Sequence, residues 1–201
     1  MRPYKIALAA VLFASSIFAS VPTNAQAVPT RQYGLTPGQT SLLDLGVNYA
    51  FFHANAPPSA CGCFSLEGGS ATIVLNMPTV LSWVGDISVG HANNINATPQ
   101  NITILNVLVG PRFSFRTSHR VTPYFQALVG ASRETSNYAA VHDVSAFAFS
   151  PGLGLNARLT RHLQWNLVEA DYLYSQLPNA VNNYQNDLRI TTGLAIRLGP
   201  R

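Results

Sequence analysis

The chain has 201 residues, of which 47% are hydrophobic, 10% aromatic and 10% charged, with a formal net charge of +4. So few charges with so many aromatics exclude a disordered chain, and the length suits one domain. Without residues 1–27, ten arginines, no lysine and eight acidic residues remain, a formal +2 that implies no nucleic-acid partner.

Arg2 and Lys5 precede an apolar core over 6–18, and Ala25-Gln26-Ala27 follows as a small-residue cleavage pattern. This is the layout of a secretory signal peptide, predicted over 1–27. Residues 28–39 are then expected as an N-terminal periplasmic segment, and 40–201 as a barrel domain. No cysteine closely follows the apolar core, so a lipid-anchored N-terminus is not indicated. Beyond the signal no apolar run approaches the roughly 18 residues that a spanning helix needs. If this chain sits in a membrane, it crosses as strands.

Eight alternating segments follow in chain order: 40–52, 64–76, 81–91, 101–115, 121–133, 144–158, 163–175 and 187–198. In the first, Leu43, Leu45, Val47, Tyr49 and Phe51 share one face while Asp44, Gly46 and Asn48 take the other. The second puts Ser70, Thr72 and Asn76 on the polar face. In the fourth, Leu105, Val107, Val109, Phe113 and Phe115 oppose Asn106, Gly110, Arg112 and Ser114. The sixth is the clearest, with Phe147, Phe149, Pro151, Leu153 and Leu155 against Ala146, Ala148, Ser150, Gly152, Gly154, Asn156 and Arg158. The seventh places Glu169 and Asp171 inward on polarity. In the eighth, Leu188, Ile190, Leu194, Ile196 and Leu198 oppose Asp187, Arg189, Gly193 and Arg197.

These segments exceed the roughly 5 to 6 residues of an ordinary strand and suit the roughly 9 to 11 of a tilted spanning one. Their connections alternate between short (77–80, 116–120, 159–162) and long (53–63, 92–100, 134–143, 176–186), as in an outer-membrane barrel with periplasmic turns, extracellular loops and both termini in the periplasm. The predicted fold is all-β: an eight-stranded antiparallel transmembrane up-and-down β-barrel. An Arg or Lys facing lipid at mid-depth costs about 2 to 4 kcal/mol, so the polar face is the lumen. Trp83, Tyr172 and Tyr174 read as interface-belt aromatics.

The inward charges are then Asp44, Asp86, Glu169 and Asp171 against Arg112, Arg158, Arg189 and Arg197. An eight-stranded barrel is only just wide enough for its own side chains, so these are expected as a packed polar network, with Glu169 and Asp171 beside Arg189 across a hairpin. A narrow gated path past them is the alternative. Cys61 and Cys63 fall in the first long loop, as a disulfide or as free thiols. With only His53 nearby they fall short of the about four ligands of a metal site, and no cofactor is indicated. His53, His91 and His142 lie near loop ends, and His142-Asp143 before Ser145 offers material for a barrel hydrolase or acyltransferase, but no nucleophile-elbow pattern accompanies it. No catalytic residues are assigned.

EGGSATIVLN from Glu67, VLVGPRFSFR from Val107, VTPYFQALVGASR from Val121, EADYLYSQLPN from Glu169 and NDLRITTGLAIRLG from Asn186 together resemble the small OmpA-like outer-membrane β-barrel proteins of acidobacterial type. The resemblance implies a porin-family barrel in the outer membrane of a Gram-negative-type cell, with outer-membrane lipid around it and the barrel-assembly machinery as a partner in biogenesis. It carries over no catalytic residues. The chain departs from many such barrels in ending Leu198-Gly199-Pro200-Arg201 rather than in an aromatic, which bears on recognition of the last strand. The expected function is a non-enzymatic outer-membrane protein with a structural or surface-interaction role. A small passive porin-like channel is the alternative, with a lipid-modifying barrel enzyme behind it.

Overall fold

The computed structural model describes residues 41–54, 64–93, 101–115, 120–136, 143–178 and 183–199. The predicted signal peptide, the segment 28–39, Cys61, Cys63 and His142 lie outside the described residues.

Eight strands form: β1 (Leu43–Ala54), β2 (Phe64–Asn76), β3 (Leu81–Ala92), β4 (Ile102–Ser114), β5 (Val121–Ser136), β6 (Val144–Arg158), β7 (Leu163–Ser175) and β8 (Gln185–Leu198). Each pairs antiparallel with the next, and β1 closes on β8 from Leu43↔Leu198 to His53↔Leu188. The result is a closed barrel with no free sheet edge, so strand backbone finds its hydrogen bonds within the ladder. Every strand matches a predicted segment. The ends differ most at β1, which starts at Leu43, and at β5, which runs on to Ser136 because Glu134, Thr135 and Ser136 continue the ladder against Ile104, Thr103 and Ile102.

Register fixes the tilt. One circuit of paired residues runs Asn76↔Ser82↔Arg112↔Gln126↔Gly152↔Asp171↔Arg189↔Phe52↔Leu66, returning to β2 ten residues from its start. Such a stagger requires strands tilted to the axis, typically by about 35 to 45°. Side chains far apart in ladder order are thereby brought to similar depth.

Outside β7, burial alternates with period two along the strands. In β1 every even position from Asp44 to Ala54 is buried, while Val47 is 73% exposed. The odd positions of β4 and β6 place Val107, Val109, Phe147 and Leu153 on the outer face, and Leu153 is 65% exposed. Phe113 and Phe125 stack outside at 4.8 Å between ring centroids. Trp83, Tyr172 and Tyr174 also lie on the outward parity of their strands, and the Tyr172 hydroxyl donates to Asn186 Oδ1 at 2.6 Å. No described helix is long and apolar enough to cross a membrane.

The single-period reading fails at β7. Pairing with β8 shifts between Asn166 and Glu169, and with it the inward set changes from even (Gln164, Asn166) to odd (Glu169, Asp171, Leu173, Ser175). A β-bulge places Leu167 and Val168 side by side in the ladder's gap and re-aims every residue that follows. Glu169 and Asp171 point inward as predicted because they follow the bulge.

Inside, the lumen has two parts. Toward the long-loop end Phe52, Leu66, Ile104, Leu108, Leu128 and Leu173 pack as an apolar cluster. Toward the short-turn end and through the middle most buried side chains are polar or charged, with Val74, Val84 and Tyr124 between them.

Candidate functional site in the lumen

Arg189 on β8 is fully buried and gathers three carboxylates. Asp171 lies opposite it across the β7–β8 ladder and accepts from its Nε at 3.0 Å and Nη2 at 2.9 Å, a forked pair. Asp86 comes from β3, across the lumen, and pairs with Nη1 at 2.5 Å, while Ser88 Oγ accepts from the same nitrogen at 2.9 Å. Glu169 Oε1 stands 3.7 Å from Nη2.

Glu169 belongs more closely to Arg112 of β4, at 3.1 Å. Arg112 also donates from Nε and Nη2 to Gln126 Oε1 at 2.9 and 2.6 Å, and its guanidinium lies 4.0 Å from the centre of the Tyr124 ring. Tyr124 donates its hydroxyl proton to Glu169 Oε2, and Gln126 Nε2 donates to Asp171 Oδ1 at 3.0 Å. The two arginine clusters are thus one network, joined through Glu169 and through Gln126. A planar guanidinium can satisfy two acceptors at once, which makes Arg suited to such a hub.

Two glycines make room for it. A Cβ at Gly152 would fall on the Asp171 carboxylate, and one at Gly154 on the Tyr124 ring. Below the network, Asn48 donates to Ser70 Oγ at 3.1 Å and Asn166 to Asn48 Oδ1 at 3.3 Å. A cavity of about 20 Å³ between Asp44, Asn48, Arg112, Asn166 and Glu169 is the space left there. That is about enough for one water molecule.

Five of the eight predicted lumen residues, Asp86, Arg112, Glu169, Asp171 and Arg189, therefore meet in one buried network. Asp44 and Arg197 form a separate pair nearer the turn end, 3.9 Å apart, with Asn76 donating to Asp44 Oδ2 at 2.8 Å and Ser41 donating to its Oδ1. Arg158 stands apart. It has the inward parity of β6, but it is the last residue of the strand and is exposed at the turn-end mouth. Tyr124 and Gln126 were not singled out by their charge, being neutral. Their signal is parity, since both occupy the even, lumen-facing positions of β5.

Three carboxylates surround two guanidiniums in the network, and the excess is offset by neutral donors: the Tyr124 hydroxyl and the Gln126 amide. Asp86 Oδ2 has no hydrogen-bond partner among the described residues. The described histidines make no shared site. His91 bonds Thr103 and Asn93, each at 2.8 Å, and His53 lies on the outward face of β1. Asp143, in the left-handed region at φ 33°, accepts from Arg133 at 2.9 Å and from Thr135 at 2.8 Å.

No protein-family model matches the chain, and no curated protein matches it by sequence. Solved structures do. Neisserial surface protein A is 15% identical, over 79% of this chain and 98% of its own, with a TM-score of 0.60. Ail, the attachment invasion locus protein of Yersinia pestis, is 13% identical over 79% and 99%, with a TM-score of 0.54. The same protein in complex with the heparin analogue sucrose octasulfate matches at 13% identity over 79% and 99%, with a TM-score of 0.53. At these identities the likeness is one of fold. The chain has the closed, eight-stranded antiparallel barrel of small outer-membrane proteins, and the resemblance to OmpA-like barrels holds at that level.

Proposed function

We propose that this chain is a non-enzymatic integral outer-membrane protein whose barrel is a closed, plugged scaffold and whose working surface is its long loops. The observation that carries the reading is the division of faces: an apolar outer surface around a lumen closed by the Arg112–Glu169–Asp171–Arg189–Asp86 network. An apolar face this continuous is stable only against lipid, and burying charge inside is tolerable only when the charges are matched. Outer-membrane lipid surrounds the barrel, the barrel-assembly machinery inserts it, and both termini face the periplasm. A surface-interaction role is favoured by the likeness to Ail, whose name describes attachment and invasion. The passive-channel reading has less support, because the space left beneath the network is about 20 Å³.

The test is twofold. Folded protein in detergent runs ahead of boiled protein on a gel, and in planar bilayers the same preparation gives no conductance steps above background. Identical migration before and after boiling removes the barrel, and reproducible steps that change in Arg112→Ala replace the plugged scaffold with a channel.

A further inference from the structure

The turn-end mouth differs in charge from the rest of the lumen. A cavity of about 590 Å³ opens there, lined by Arg120, Arg158, Arg161, His162 and Arg197, with Ser41 among the neutral lining residues. No described carboxylate lines it, and none lies within ion-pair distance of Arg120, Arg158 or Arg161. Arg197 is shared with Asp44 at 3.9 Å.

Backbone pairing brings four of these residues together in two pairs. The Arg158 amide donates to the Arg120 carbonyl at 2.8 Å, and the Arg197 amide donates to the His162 carbonyl at 2.8 Å. Arg120 and Arg158 are therefore neighbours across the β5–β6 end, and His162 and Arg197 across the β7–β8 end. Arg158 and Arg197 keep the lumen-facing parity of their strands, so the cluster faces the mouth of the ring rather than the surrounding lipid. Like charges set side by side repel, and they are most readily offset by an anion held between them. Guanidinium forks match the paired oxygens of phosphate, and the cavity is large enough for a small multivalent ligand.

We propose that the turn-end mouth is a binding site for phosphate-type oxyanions, held by Arg120, Arg158 and Arg161 with Arg197 and His162 beside them. A soluble phosphorylated compound entering the mouth and a phospholipid headgroup reaching over the rim share this chemistry. The site concerns the opposite end of the barrel from the long loops and does not depend on what those loops bind.

Inorganic pyrophosphate is the probe, titrated calorimetrically into the folded chain in nanodiscs of zwitterionic phosphatidylcholine. Saturable binding is expected, weakened at least tenfold in Arg158→Gln/Arg161→Gln and unchanged in Arg133→Gln at the other end. Heat-modifiable migration verifies that each variant is folded. No saturable binding by the parent chain, or equal binding by the double variant, or an equal loss in Arg133→Gln, overturns the proposal. Repeating the titration in discs containing phosphatidylglycerol separates the sources: unchanged affinity assigns the site to a soluble phosphate compound, and a tenfold loss by competition assigns it to the headgroup.

Discussion

The middle of the lumen and its turn-end mouth are both rich in arginine, yet they handle charge in opposite ways. In the middle, Arg112 and Arg189 are buried and each guanidinium is met by a carboxylate at 3.1 Å or less. At the mouth, Arg120, Arg158 and Arg161 are exposed and have no carboxylate partner among the described residues. The difference follows from solvent. A charge shut in the lumen needs a protein partner, because an unpaired buried ion costs several kcal/mol. A charge at the rim is hydrated and remains available for a ligand.

Substitutions ranked by this contrast should separate the two regions. Arg189→Ala leaves the buried Asp86 and Asp171 carboxylates without their guanidinium, and should lower stability by about 3 to 5 kcal/mol, read as a fall in the urea midpoint for unfolding from lipid vesicles. Gly152→Ala introduces no charge but drives a methyl onto Asp171. It should lower the same midpoint by the equivalent of about 1 to 3 kcal/mol. Arg133→Ala breaks an ion pair whose side chains are 52% and 55% exposed. Its effect should stay below about 1 kcal/mol, and adding salt to the parent chain should reduce the difference further. Arg158→Ala should leave the unfolding midpoint within about 0.5 kcal/mol of the parent. A loss at Arg158 as large as at Arg189 would mean that the mouth is part of the packed network after all.

Most of the barrel was legible because a strand's side chains alternate with period two, and in β1, β4, β6 and β8 the inward and outward positions keep one parity from end to end. The pairing of Asp171 with Arg189 was legible too, since both lie inward on consecutive strands joined by one connection. Parity, however, says which face a residue takes and not how deep it sits. Depth depends on tilt and stagger, which emerge only when the ladder closes, and so Arg158 was grouped with Arg112 although it ends its strand at the rim. The contact of Asp86 with Arg189 spans the lumen and has no local signature. The bulge in β7 was hidden because Leu167 and Val168 are both apolar, so the slip in alternation carries no polar marker.

If one side of each strand meets lipid and the other the packed lumen, β6 should show it residue by residue. Single cysteines would be placed at Phe147, Ala148, Phe149, Ser150, Leu153, Leu155 and Asn156 in a Cys61→Ser, Cys63→Ser background, leaving out Gly152 and Gly154, where a Cβ would strike Asp171 and Tyr124. Folded protein in lipid vesicles would then be exposed to a lipid-phase and a water-phase thiol reagent. Lipid-phase labelling is expected at 147, 149, 153 and 155, and protection at 148, 150 and 156. Water-phase labelling of all seven positions alike would contradict it, and with it the membrane barrel.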